Sequence, residues 1–207
     1  MFIFFYIFLS GFIAVIPLYF LSLEHLKLMQ KYGKEKGKKI GDIYGVVSGW
    51  GFFIFWFGIW LSPQTRFSLP IFQDLLIQAP IVNLTISLLH LLIFIPFFAV
   101  GAWFGINGVS ETTLKVAETH RPKKIVKKGV YSMVKHPQYL GGLLAHIGMS
   151  FLLSAFNSLF VTPLIIVIVY FISKKEENEL EKEFGNEYLD YSNKVPMLFP
   201  RLKKVRL

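Results

Sequence analysis

The stretch Met133–Ile172, MVKHPQYLGGLLAHIGMSFLLSAFNSLFVTPLIIVIVYFI, decides how the rest of the chain is read. A Lys-His-Pro triplet runs into an apolar segment, Tyr139–Ala155, and only Phe156, Asn157 and Ser158 separate it from a second, Leu159–Ile172. A bilayer core of about 30 Å takes roughly 20 helical residues to cross. Each segment is short of that, so the two predict a tight helical hairpin, tilted or incomplete. Pro137 disfavours helical geometry at His136 and suits the first position of a helix, which puts His136 at the N-cap. The free N–H groups of that first turn, with the helix dipole, make a positive pocket for a carboxylate or phosphate. Gly141 and Gly142 leave the turn uncrowded. Tyr139, Gly142 and His146 follow one face into the apolar segment. An ionisable group that deep is either functional or a hydrogen-bonded core residue.

Outward from the hairpin, three more stretches have the length and character of spans: Met1–Leu23, Ile43–Leu61 and roughly Ala79–Gly105. The chain is 54% hydrophobic and 17% aromatic over 207 residues, too apolar for a soluble domain of this size. Met1–Leu23 carries no charge before Glu24, and it lacks the basic start and small-residue cleavage pattern of a signal peptide. The predicted fold is an all-α integral membrane helical bundle of about five transmembrane helices with a cytoplasmic C-terminal helical extension. The net charge of +9 would suggest nucleic acid in a soluble protein. Here the placement of the charges points to lipid instead. With five spans, 21 of the 22 basic residues fall on one side and only Arg66 on the other. Basic flanks stay cytoplasmic, so the N-terminus is expected outside and the tail in the cytoplasm. A four-span count would break the bias.

Several features carry less. The absence of cysteine excludes disulfides, thiolate zinc sites and cysteine nucleophiles. No pair of histidines has a metal-ligand spacing, so no metal is expected. Gly101, Gly105 and Gly108 in the third span, and Gly45 and Gly49 in the second, suit close helix packing. Gly105 and Gly108, at the cytoplasmic end, are also open to cofactor contact. Asn83 and His90 lie seven apart, on one face of the expected third span, while His25 and His120 read as loop residues without a role. The lysine run 31–39 reads as a solvated or headgroup-binding linker.

A second constellation begins where the fifth span ends, KKEENELEKEFGNEYLDYSNKVPMLFP, from Lys174 to Pro200. Leu180 and Phe184 give a helical continuation a narrow apolar stripe, and Gly185 suits its C-terminal stop. Glu179, Glu181, Lys182 and Glu183 read as its solvated face. A second short helix would present Tyr188 and Tyr191 on one side and end by Val195-Pro196. The hairpin makes its two ends neighbours. A histidine, a helix N-terminus, two tyrosines and the Glu176–Glu177 carboxylates then converge on one cytoplasmic cavity.

KKIVKKGVYSMVKHPQYLGG, followed some forty residues later by EENELEKEFGNEYLDYSNKVPMLFP, resembles the isoprenylcysteine carboxyl methyltransferase family and its phospholipid methyltransferase relatives. The resemblance covers roughly Lys123–Pro200. It implies a membrane enzyme that uses S-adenosylmethionine and acts on a membrane lipid or prenylated acceptor, either a prenylcysteine-like carboxylate or an amino-phospholipid. It further implies that Ile125, Val126, Tyr131, His136, Pro137, Gln138 and Tyr139 line the donor site with Glu176, and it assigns no catalytic residue. Residues 1–110 would then hold three spans and a basic loop, and residues 111–207 the cofactor-binding region. A methyl sulfonium favours acidic and aromatic neighbours, and the donor's carboxylate suits a helix N-terminus. One departure bears on the acceptor: where the prenylcysteine enzymes carry an arginine before the glutamate pair, this chain has Ile172, with Lys174 and Lys175 nearby. Two other readings stand beside this one. A sterol-type reductase using NADPH shares the His-Pro-x-Tyr turn but carries Arg-Asp-Glu where this chain reads SKKEENE, and a non-enzymatic multispan protein would keep the motifs as relics.

Overall fold

The computed structural model describes residues 2–69, 76–79, 84–113, 116, 122 and 124–201. Helices α1 (Ile3–Ala14) and α2 (Ile16–Leu23) form one apolar rod jointed at Val15. Pro17 has no N–H to return to Ile13, which interrupts the ladder. Val15 N–H still donates to the Gly11 carbonyl (3.1 Å), and Tyr19 N–H to that of Val15 (3.0 Å).

Helices α3 (His25–Tyr32) and α4 (Lys34–Leu61) meet at Gly33, whose φ of 81° suits glycine alone. The lysine run 31–39, expected as a linker, is therefore mostly helical. Lysine and glutamate are good helix formers, and Gly37 lets α4 press onto the Leu28 carbonyl of α3. His25, expected in a loop, opens α3 and is buried. His120 and Asn83 lie outside the described residues.

The third span is displaced from its expected limits. Leu76–Ala79 (β1) and Leu84–Ser87 (β2) pair antiparallel, Ala79 opposite Leu84, and the helix α5 runs from Leu88 to Thr112. Pro80 in the intervening sequence offers no helix donor, and Thr85 and Ile86 favour extended backbone. The shift carries α5 two turns past the predicted end at Gly105, far enough for Thr112 to reach the site.

The hairpin forms from α6 (Pro137–Leu152) and α8 (Thr162–Phe184), with a short α7 (Phe156–Phe160) in its turn. The turn is held by the segment after α4. Phe156 N–H donates to the Thr65 carbonyl (3.0 Å), Phe67 N–H to that of Ser154 (3.1 Å), and Ser158 N–H to Gln64 Oε1 (2.8 Å). Gly185, at φ 56°, stops α8 as expected, and α9 (Asn186–Ser192) follows.

Two features make this a membrane fold. Among the described residues, Ile3–Leu23, Lys34–Leu61 and Leu88–Thr112 are long and apolar enough to cross a bilayer. The outer faces are also greasy, with Leu61, Ile106 and Phe160 exposed, while Ser48, His90, His146, Ser150 and Ser158 are sealed inside. The protein is an integral membrane protein. Its tightest seam joins α5 to α6, where a Cβ on Gly141 would sit 2.6 Å from the Gly101 carbonyl oxygen and 2.7 Å from the Gly105 nitrogen. Small residues here let the backbones touch.

The structure decides between the two readings of His146. Its Nδ1 accepts from the indole N–H groups of Trp56 (2.9 Å) and Trp60 (2.6 Å), and its Nε2 donates to the Ser158 carbonyl (3.1 Å). It is a core residue that ties α6 to α4 and α7. His90 plays a similar part, bonding Ser154 Oγ at 2.9 Å against the ring of Phe67.

Candidate active site

The polar end of the hairpin begins with chain geometry. His136 is the N-cap of α6, Pro137 its first residue, and no side chain caps the turn. The C-terminal segment holds this entrance in place: Lys135 N–H donates to the Pro196 carbonyl (2.9 Å) and His136 N–H to that of Met197 (3.1 Å). The uncapped first turn keeps amide donors for a ligand.

The side chains then divide into two layers. In the outer layer Glu177 is fully engaged, with Oε2 taking Lys135 Nζ at 2.8 Å and Oε1 taking His136 Nε2 at 3.2 Å, while Lys135 also donates to Ser192 Oγ (2.8 Å). Burial alone would raise the Glu177 carboxyl, but the hydrogen bonds from His136 and Lys135 outweigh it and hold it below the usual carboxylate range. In the inner layer Tyr139 stacks on the His136 ring at 5.4 Å and donates to Glu176 Oε2 at 2.9 Å. His136 Nδ1 lies 3.6 Å from the same oxygen. Glu176 Oε1 has no hydrogen-bond partner among the described residues.

A cavity opens between these layers. All eight residues singled out in the sequence line it: Ile125, Val126, Tyr131, His136, Pro137, Gln138, Tyr139 and Glu176. Gln138 Nε2 reaches Tyr131 Oη (3.3 Å) and Thr112 Oγ1 (3.4 Å), while Tyr131 donates to the Gly108 carbonyl (3.3 Å). Gly108 thus serves packing and an acceptor, with Gln138 close against it. Tyr191 donates to the Tyr131 carbonyl at 2.7 Å, and the Tyr188 hydroxyl is buried with no partner among the described residues. Burial pushes the Tyr131 hydroxyl up to about 12 and those of Tyr188 and Tyr191 further still, so all three are donors at neutral pH.

Against a profile of the phospholipid methyltransferase family, residues 84–187 match, half of the chain and all of the hairpin. The chain belongs to that family. Among similar proteins, it is 30% identical over 96 residues to protein-S-isoprenylcysteine O-methyltransferase B of Arabidopsis thaliana, covering 45% of this chain and 48% of that one. It is 40% identical over 79 residues to the protein-S-isoprenylcysteine O-methyltransferase of Saccharomyces cerevisiae, covering 37% and 32%. Over 76 residues it is 42% identical to methanethiol S-methyltransferase 2 of Bradyrhizobium diazoefficiens, covering 35% and 27%. The chain thus spans less than half the length of each of these relatives. No solved structure matches it.

Several site residues were not foreseen. Thr112 enters only because α5 runs long. Lys135 pairs with Glu177, one of the two carboxylates expected at the cavity, and the pair holds His136. Glu179, expected on a solvated face, is buried and paired with Lys182 (2.7 Å) and Lys175 (3.4 Å). Tyr19 arrives from the first span, its hydroxyl 2.7 Å from that of Tyr139. A tyrosine near the end of an apolar span, five residues before its first charge, was the available signal.

Proposed function

We propose that the protein is a membrane methyltransferase that uses S-adenosylmethionine and methylates a lipophilic acceptor at the cytoplasmic membrane surface, a prenylcysteine-like carboxylate ahead of an amino-phospholipid. The observation that carries this reading is the half-satisfied Glu176: one oxygen is held by Tyr139, the other has no partner among the described residues. A carboxylate kept that way beside an aromatic ring suits a cationic ligand. The partnerless Tyr188 hydroxyl and the uncapped first turn of α6 offer donors for that ligand's hydroxyl and carboxylate groups.

When bound, S-adenosylmethionine supplies an electrophilic methyl on a sulfonium. The contribution of this chain is to position and to exclude water. The Lys135–Glu177–His136 cluster fixes the entrance, and Tyr131 and Gln138 hold the wall toward α5. An ionised carboxylate acceptor needs no general base, whereas an amine would. The names of the plant and yeast relatives favour the carboxylate. Ile172 lies fully buried in the core, and Lys175 is paired with Glu24 and Glu179. Among the described residues, Lys124 lines the cavity and offers a cation for an acidic head. In this reading residues 111–207 carry the donor site, with Tyr19 reaching in from residues 1–110, the N-terminus is outside and the tail cytoplasmic.

Isothermal calorimetry of the detergent-solubilised protein with S-adenosylhomocysteine and with NADPH tests the donor. Binding of NADPH alone would replace this reading with the reductase. A radiolabelled methyl assay comparing a farnesylated cysteine derivative, phosphatidylethanolamine and a small water-soluble thiol tests the acceptor. Methylation of the thiol alone would refute a lipophilic acceptor.

A further inference from the structure

Among the described cavity-lining residues only Tyr19 comes from before residue 84, outside the matched region. Its position is well determined by chemistry. Tyr139 has one hydroxyl proton, and that proton goes to Glu176 Oε2 at 2.9 Å. The Tyr139 oxygen is left to accept, and the Tyr19 hydroxyl stands 2.7 Å away. Tyr19 therefore donates, and the relay runs from Tyr19 through Tyr139 to Glu176. The same rod is fastened again at the next residue of α8, where Lys175 Nζ meets Glu24 Oε1 at 2.6 Å. The first span is thus held to α6 at Tyr139 and to α8 at Lys175, the residue before Glu176.

We infer that Tyr19 is a positioning residue for the donor site: it fixes the Tyr139 proton on one oxygen of Glu176 and so leaves the other oxygen for the bound cation. The inference rests on the methyl-donor reading of the cavity. Tyr19 is 4% exposed, so replacement by phenylalanine keeps the ring in place against Phe52 and removes the hydroxyl that donates to Tyr139. Without that donor the Tyr139 hydroxyl loses its preferred orientation, and one of its lone pairs is buried unsatisfied.

The test is a double-mutant cycle on Tyr19→Phe and Tyr139→Phe. S-adenosylmethionine affinity is read by calorimetry, with S-adenosylhomocysteine as the ligand lacking the sulfonium charge, and the ligand-free thermal midpoint in parallel. Tyr19→Phe should weaken the ligand about threefold to tenfold in the wild-type background, the range of one buried hydrogen bond. In the Tyr139→Phe background it should change affinity by less than about twofold, because the relay is already cut. A lower midpoint with unchanged affinity would make Tyr19 a packing residue and overturn the inference. Equal losses in both backgrounds would overturn it too, since Tyr19 would not act through Tyr139. If the wild-type protein binds no S-adenosylhomocysteine, the donor reading fails and this inference fails with it.

Discussion

Glu176 and Glu177 are neighbours in sequence with opposite duties, and replacing each by glutamine separates them. Glu177 has both oxygens engaged, by Lys135 at 2.8 Å and His136 at 3.2 Å, with the side chains of Lys135 and Glu177 only 7% and 14% exposed. Breaking a buried pair by removing one charge costs about 3–5 kcal/mol, because the partner stays buried and unpaired. For a chain of this size that is a fall of roughly 6–20 °C in thermal midpoint. Glu176 has one oxygen held by Tyr139 at 2.9 Å. Glutamine keeps an oxygen for that bond, so stability should change little. What is lost is the charge facing the ligand's sulfonium, worth about 1.5–3 kcal/mol, or roughly ten- to hundredfold in affinity for S-adenosylmethionine. Calorimetry and a thermal melt on both variants, with Glu181→Ala at an exposed position of α8 as control, give the comparison. Glu176→Gln with wild-type affinity and an intact melt would refute the division of labour and remove the donor site from this cavity.

Three further outcomes follow from the same structure. Gly141→Ala should destabilise the protein by about 1–3 kcal/mol through overpacking, because its Cβ would meet the Gly101 carbonyl; a thermal melt checks this, and an unshifted midpoint would mean that the α5–α6 seam can part. The Glu177 carboxyl is held below its ordinary value, so its stabilisation is complete above about pH 4.3, the unfolded value, and is lost as pH falls through the lower folded one. Thermal midpoints between pH 7 and 3 should therefore fall more steeply in the wild type than in Glu177→Gln, and parallel curves would contradict the assignment. A C-terminal tag should resist protease in sealed right-side-out vesicles, and digestion without lysis would reverse the proposed orientation.

The sequence disclosed the hairpin and its ends because that information is local. Pro137 sets the helix start, Gly185 its stop, and a three-residue turn makes His136 and Glu176 neighbours whatever the rest of the bundle does. It misled where a longer-range choice decides. Ala79–Gly105 is apolar enough for a span, but hydropathy does not separate a β-branched hairpin from the first turns of a helix, so α5 was placed two turns too early. The lysines of 31–39 were given to a linker because charge outweighed their helix propensity, and Gly37 was not seen to let α3 lie on α4.

Tyr19 shows the limit most clearly. Nothing within twenty residues of it names Tyr139 as its partner, since that contact depends on how the first rod crosses the last helix. Yet the crossing follows from polar groups that an apolar surround forces to pair. A tyrosine hydroxyl near the end of a span must find an acceptor, and Glu24 one turn on must find a cation. The hairpin offers both: the Tyr139 oxygen of α6, whose proton goes to Glu176, and Lys175 of α8. The first span therefore docks where its two polar side chains are satisfied together, and that docking closes the wall of the cavity. The polar residues at the doorstep of the hairpin thus serve two ends, since the bonds that seat the first helix are also the bonds that orient Glu176.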